Sequence, residues 1–315
     1  MHPNLQVRLG SLTLANPVLV AAGTFGYGLE FARAVRLERL GAVVTKTLTR
    51  QPRDGNPPPR LVETPSGMLN AVGLQNVGLE TFLREKLPRL RACRVPIIVS
   101  ILGESPEDVE AMVQTLDRAE GVAAIELNLS CPNVYRGQGG LLEENPTPHL
   151  MVAQEADATF TMVQRARAHT AKPLIAKLSP DVTDLVPIAQ AAERAGADAL
   201  SLSNTFQGMS LNPTTRRSRL GSMTGGLSGP AIRPLAVYRV WYTAQTIRVP
   251  IIGLGGIVRA EDALEFILAG ASAVAVGTAN FANPAAPLRV LRGLEQYLTV
   301  HRLASLEALR GAVNG

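Results

Sequence analysis

VPIIGLGGIVRAEDALEFILAGASAVAVGTANF, residues 249–281, carries the pattern that decides the fold. An apolar run at Pro250–Gly253 stops at a glycine-rich turn, EDALEFILAG then spaces its apolar residues three and four apart, and a second apolar run follows at Ala273–Val276. That is a buried strand, an amphipathic helix ending at glycine, and another buried strand. Working outward, the same kind of run recurs at Pro17–Ala22, Ala42–Thr47, Pro96–Ile101, Ala123–Asn128, Pro173–Lys177 and Ala199–Leu202. Helical segments separate them, among them FARAVRLERL after the first run and PEDVEAMVQTLDRAEG after the third. Eight such units predict an α/β fold, a closed (β/α)8 TIM barrel, with residues 1–315 as a single domain.

Outside the repeat, LQVRLGSLTLAN alternates and turns at Gly10–Ser11, which predicts an N-terminal hairpin closing the bottom of the barrel. Two long insertions, Leu48 to about Val77 and Asn204 to about Pro234, follow the second and sixth runs. Loops of that length in a compact domain are lids or binding loops, and both leave the C-terminal strand ends where barrel active sites lie.

Composition agrees with one compact core: 46% of residues are hydrophobic, 18% charged and 4% aromatic. The net charge of +5 comes from arginines scattered beside Glu and Asp, a solvated surface rather than a nucleic-acid face. Arg216, Arg217 and Arg219 form one local basic run that could face an anion or a partner. Two cysteines, Cys93 and Cys131, are too few for a disulfide framework or a four-thiolate cluster, so a reducing cytoplasmic setting and no metal site are expected. No stretch reads as a leader or a membrane span.

Polar groups gather at the ends of the runs: Lys46 and Thr47, Asn128, Lys177, Asn204 and Thr205, Gly255 and Gly256, Gly277 and Thr278. Lysine occurs only four times in the chain, so two at strand ends imply an anionic ligand on that rim. Glu126 shares the strand parity of Asn128 and is expected to point inward and pair with a cation. IIGLGGI and AVGTANF leave backbone N–H groups that can approach a phosphate closely, while the spacing departs from the dinucleotide-binding fingerprint. NLSCPNV, leaving the fourth run, is followed by YRGQGG, a plausible lid. Cys93 reads as a small buried hydrophobe. Cys131 lies between two asparagines on an exposed loop, and His2, His149, His169 and His301 avoid the strand ends, so Cys131 is the candidate base.

These residues resemble the dihydroorotate dehydrogenases, in the cytosolic class 1 whose base is cysteine. The resemblance covers nearly the whole chain. It is carried by VVTKT at 43–47, GNPPPR at 55–60, ETPSGMLNAVGLQN at 63–76, IELNLSCPNV at 125–134, IAKLSP at 175–180, SNT at 203–205, GGLSGPAIRP at 225–234 and the two glycine loops. The segment at 63–76 is most similar to the catalytic subunit of the NAD-linked subclass.

The resemblance implies oxidation of dihydroorotate to orotate, in pyrimidine biosynthesis, by one FMN per chain. Cys131 would take the C5 proton. Lys46, Asn70, Ala71, Val72, Gly73, Leu74, Asn128, Asn133, Asn204 and Thr205 would hold the pyrimidine. Ala22, Gly23, Lys46, Thr47, Ser100, Asn128, Lys177, Ser203, Gly229, Gly255, Gly256, Gly277 and Thr278 would hold FMN. Ala22 stands where a serine is common and Ser100 where an asparagine is usual, so a flavin contact at each is a departure. With neither cluster ligands nor a dinucleotide motif of its own, the chain would pass electrons to NAD through a partner subunit carrying FAD and [2Fe-2S], in a heterotetramer built on a homodimer. A fumarate-reducing dihydroorotate dehydrogenase stays open as an alternative. So do other FMN barrels acting on dihydropyrimidines, such as a dihydropyrimidine dehydrogenase-like reductase or a tRNA-dihydrouridine synthase.

Overall fold

A computed structural model describes residues 3–130 and 151–313. Eight parallel strands close into a barrel: β1 (Val18–Val20), β2 (Ala42–Val44), β3 (Ile97–Ile101), β4 (Val122–Asn128), β5 (Leu174–Lys177), β6 (Ala199–Leu202), β7 (Ile251–Leu254) and β8 (Ala273–Val276). Each pairs with its chain neighbour, and β8 with β1 closes the ring. Helices cover the outside: α1 (79–91, with a π-helical turn at Phe82–Lys86), α2 (Pro106–Arg118), α3 (Ala156–Arg167), α4 (Val186–Arg194), α5 (Arg233–Ala244), α6 (Ala260–Leu268) and α7 (Ala286–Val300).

Strand alternation splits the core in two. Outward-facing Val99, Ile125, Leu127, Leu200 and Val274 pack with the helices. Inward-facing Leu19, Ala42, Ile98, Ala124, Ile175, Ile252 and Ala273 fill the barrel. The predicted hairpin pairs Val7–Leu9 with Leu12–Leu14 and pushes fully buried Leu9 and Leu14 up into that inner core. The bottom is thus sealed by hydrocarbon. Toward the C-terminal strand ends the same inward parity carries Ser100, Glu126, Asn128 and Lys177, so the barrel turns polar only near its mouth.

Two expectations need correction. FARAVRLERL forms no helix, only single 3-10 turns at Leu29–Phe31 and Leu37–Arg39. Arg33, Arg36 and Arg39 recur three apart, which sets like charges along one face of any helix. The chain instead folds Phe25, Val35, Leu37 and Leu40 into a local cluster with Val20, Val43 and Val95. The second correction concerns the insertions, which are not merely loops. Phe206–Gly208, Gly225–Ser228, Gly67–Asn70 and Leu61–Thr64 pair in that order as a four-stranded antiparallel sheet. The basic run falls on a separate small hairpin, Leu211–Asn212 with Arg217–Ser218, where its arginines are exposed.

Candidate active site

The inserted sheet and the strand ends enclose a cavity with about 1030 Å³ of atom-free space, part of it open to solvent. Its floor holds Ala21, Ala22 and Gly23 after β1, Lys46 and Thr47 after β2, Asn128, Lys177, and Ser203 to Thr205 after β6. Gly255 and Gly256 after β7 and Gly277 and Thr278 after β8 line another side, with Gly229. The inserted hairpin contributes Asn70 and, just beyond it, Val72, Gly73 and Leu74.

Local hydrogen bonds shape that last segment. Asn56 donates its backbone N–H to Val72 O at 3.0 Å and its Nδ2 to Ala71 O at 3.1 Å. Gly73 and Leu74 adopt positive φ of 72° and 55°. Asn76 bridges to Thr49 through Nδ2 to Oγ1 at 2.9 Å, and Tyr27 Oη accepts the Val77 N–H at 3.1 Å. Burial pushes the Tyr27 hydroxyl above the usual phenol value, so it stays neutral in that contact. On the opposite edge, Asp181 Oδ2 accepts the Gln207 N–H at 3.0 Å, which fastens the second insertion to the end of β5.

The electrostatics are one-sided. Lys46 and Lys177 line the cavity, and no acidic side chain lies among its described lining residues. Lys177 is only 4% exposed, and its side chain makes no hydrogen bond or ion pair among the described residues. A buried ammonium without a counter-charge is costly, so the site is built for an anion. Glu126 does not supply that charge, contrary to the sequence expectation. It is 2% exposed and accepts from Ser100 Oγ at 2.9 Å, with no cation within ion-pair reach among the described residues.

The glycine side suits a phosphate. No acceptor takes the backbone N–H groups of Gly256, Gly277 and Thr278 among the described residues. Gly256 has φ +72°, and a Cβ there would lie 2.8 Å from Gly229 O. Gly23, at φ +83°, has nothing within 4 Å of where its Cβ would stand, so a side chain would take up open space. Thr278 Oγ1 donates to Ser228 Oγ at 2.8 Å, linking the β8 loop to the inserted sheet. Anion-ready backbone, buried cation and unobstructed floor together fit FMN.

Two of the residues assigned to ligands by sequence lie off the cavity. Ser100 is fully buried beneath Thr47, with Oγ to Oγ1 at 3.0 Å, and Ala71 packs with Leu69 and Leu220. Cys131 and Asn133 lie outside the described residues. Thr24, Leu61, Met68, Ser228, Ile232 and Phe281 also line the cavity and were not foreseen. Leu61 and Met68 are reachable from alternation in the 61–70 hairpin, but Phe281, on a single helical turn at Ala279–Ala282, offers no such signal.

A family model described as dihydroorotate dehydrogenase matches residues 4–298. The chain belongs to the dihydroorotate dehydrogenase family. The chain is 50% identical over 315 residues, all of both chains, to the dihydroorotate dehydrogenase B (NAD(+)) catalytic subunit of Trichlorobacter lovleyi. Similarity to the proteins of that name from Geotalea uraniireducens, 50% over 99% of this chain and 98% of the relative, and Thermodesulfovibrio yellowstonii, 46% over 98% and 99%, is equally complete. Dihydroorotate dehydrogenases are oxidoreductases acting on a CH–CH bond, and the name "catalytic subunit" implies a partner subunit for those relatives. No helix of the described residues is long and apolar enough to cross a membrane.

Proposed function

We propose that the protein is the FMN-binding catalytic subunit of an NAD-linked dihydroorotate dehydrogenase, oxidising dihydroorotate to orotate in the cytoplasm. The observation that carries this reading is the buried Lys177, a cation with no partner among the described residues, lining the same cavity as backbone N–H groups that no described residue accepts.

Bound FMN would supply the hydride acceptor for C6 of the substrate. The protein's own residues do the rest. Gly229, Gly255, Gly256, Gly277 and Thr278 would take the phosphate on backbone N–H groups, and Lys177 would sit by the part of the ring that gains charge. Thr47 and Ser203 would hold the ring edge. Lys46 would hold the substrate carboxylate. Asn70, Asn128, Asn133, Asn204 and Thr205 would match the imide edges, with the 72–74 backbone closing one side. Cys131 Sγ would take the C5 proton, which then passes to solvent. Ser100 is reassigned from a flavin contact to a support beneath Thr47.

Anaerobic mixing with dihydroorotate tests the proposal: the yellow protein should bleach, and orotate should appear in equal amount to the flavin reduced. A colourless protein, or one that dihydroorotate leaves yellow, would refute it. The partner subunit, carrying FAD and [2Fe-2S] in a heterotetramer around a homodimer of this chain, has its own test. Efficient NAD reduction by the purified chain alone would rule it out.

A further inference from the structure

Glu126 is a buried carboxylate that the proposed chemistry does not use. It stands on β4 beside Ser100 of β3, in direct register, among the apolar side chains of the inner barrel. A carboxylate only accepts hydrogen bonds, and Ser100 Oγ donates to Glu126 Oε1 at 2.9 Å. With its one proton committed, Ser100 can only accept across the 3.0 Å contact with Thr47, so Thr47 is the donor there. Thr47 Oγ1 in turn accepts from Asn128 Nδ2 at 3.0 Å.

The far end is pinned by backbone groups whose roles are fixed. Asn204 Oδ1 accepts the Thr205 N–H at 2.8 Å, and Asn204 Nδ2 donates to Ser130 O at 2.8 Å and Ser130 Oγ at 2.9 Å. Ser130 then donates from Oγ and from N to Asn128 Oδ1, both at a long 3.4 Å. Every step from Asn204 through Ser130, Asn128, Thr47 and Ser100 therefore runs in one direction and ends on Glu126.

We propose that Glu126, acting through Ser100, is a positioning residue that sets the direction of the Ser100–Thr47–Asn128 steps and thereby fixes which amide atoms Asn128 presents to the ligand, while Asn204 is held by its own backbone partners. Left alone, an amide can turn over and exchange donor for acceptor, and a hydroxyl can rotate. A heterocycle with alternating N–H and C=O groups is bound well only by one of those arrangements, because the other leaves buried polar groups unpaired. The identity of that heterocycle rests on the function proposed above. The relay itself rests on geometry.

The test uses the flavin-loaded protein and its E126Q, S100A, S100T and E126Q/S100A variants. Orotate affinity is read from the perturbation of the visible flavin spectrum, with flavin content as the control. E126Q and S100A should each weaken orotate binding roughly 10-fold at unchanged flavin content. The double variant should be no worse than S100A, because both act on one chain. S100T, which keeps the hydroxyl, should recover most of the loss. E126Q and S100A both binding orotate within twofold of wild type, or losses that multiply in the double variant, would overturn the relay. If E126Q does not fold, the S100A and S100T pair decides. A ligand-free arm separates this proposal from the function. In urea unfolding, S100A should lower the midpoint more in the wild-type background, where it strands a carboxylate, than in the E126Q background. Equal drops overturn the relay even if the wild-type protein ignores orotate, an outcome that would sink the proposed function alone.

Discussion

Lys177→Met separates the cost of the buried cation from its use. The side chain is nearly inaccessible and has no counter-charge among the described residues, so in the ligand-free fold no described group offsets the ammonium, whereas a bound anion would. Met has a similar length and no charge. Replacing buried charge by apolar volume is worth about 1–4 kcal/mol where it has been done, so flavin-free K177M should unfold at higher temperature than flavin-free wild type. In the loaded protein the sign reverses. A hydrogen bond to a charged group contributes about 1.5–3 kcal/mol, and here it favours the reduced, anionic ring over the oxidised one. For a two-electron couple 1.4 kcal/mol corresponds to about 30 mV, so the flavin midpoint potential should fall by about 30–65 mV. Anaerobic titration against a reference dye measures it. An unchanged potential, or a flavin-free variant that is less stable than wild type, would refute the assignment of Lys177 to the anion site.

Three further outcomes follow from named contacts. Gly256→Ala forces a side chain into φ +72° with its Cβ 2.8 Å from Gly229 O, and should weaken FMN binding by at least roughly 10-fold, measured by flavin fluorescence, and cost about 1–3 kcal/mol of stability, measured by flavin-free thermal melts. Asp181 is held above the ordinary carboxylate value by burial, against the opposing Gln207 N–H and the Arg239 charge. Its folded state therefore prefers the proton, and stability falls as pH rises from about 4 through the raised value. Asp181→Asn should melt higher than wild type at neutral pH, and the gap should close near about pH 3, as a pH series of melting curves would show. With Cys131 as base, flavin reduction by dihydroorotate should quicken toward the thiol value of about 8.5, and Cys131→Ser should slow it and move the rising limb upward. A rate independent of pH across that range would count against the thiol.

The barrel was legible because its signal is local and repeated. Each strand is a run of three to seven residues buried on both faces, and the eight runs anticipated from sequence contain or overlap the eight strands of the structure. The polar strand ends were legible for the same reason: Lys46, Asn128 and Lys177 interrupt hydrocarbon where nothing in a barrel core needs a charge or an amide. What escaped notice depends on distant partners. Gly225–Ser228 has little β propensity, and becomes a strand because Phe206–Gly208 and Gly67–Asn70, the latter far away in sequence, pair with it. Ser100 was misplaced for a related reason. Parity puts it inside the barrel, but only the height of Thr47 above it decides which of the two reaches the cavity.

The division of labour around the cavity follows from that layout. Strands β7 and β8 end in glycines, with φ values of 140° and 72° at Gly255 and Gly256 that side chains rarely adopt, so this half of the mouth offers backbone and little else. Strands β2 to β5 end in side chains of fixed direction: a carboxylate buried at the base, two hydroxyls, an amide and an ammonium with no partner among the described residues. A phosphate is recognised by unsatisfied N–H groups and tolerates any sequence that exposes them. A heterocycle is recognised by which atom donates, and that requires a network with a defined beginning and end. The inserted sheet joins the halves, since Asn70 donates to Gly226 O at 3.1 Å while Ser228 receives the Thr278 hydroxyl. A ligand that reaches both halves therefore touches both insertions, and its binding should stiffen the sheet that closes over it, a change that amide hydrogen exchange at Gly67–Asn70 and Gly225–Ser228 would register as slower exchange when orotate is added.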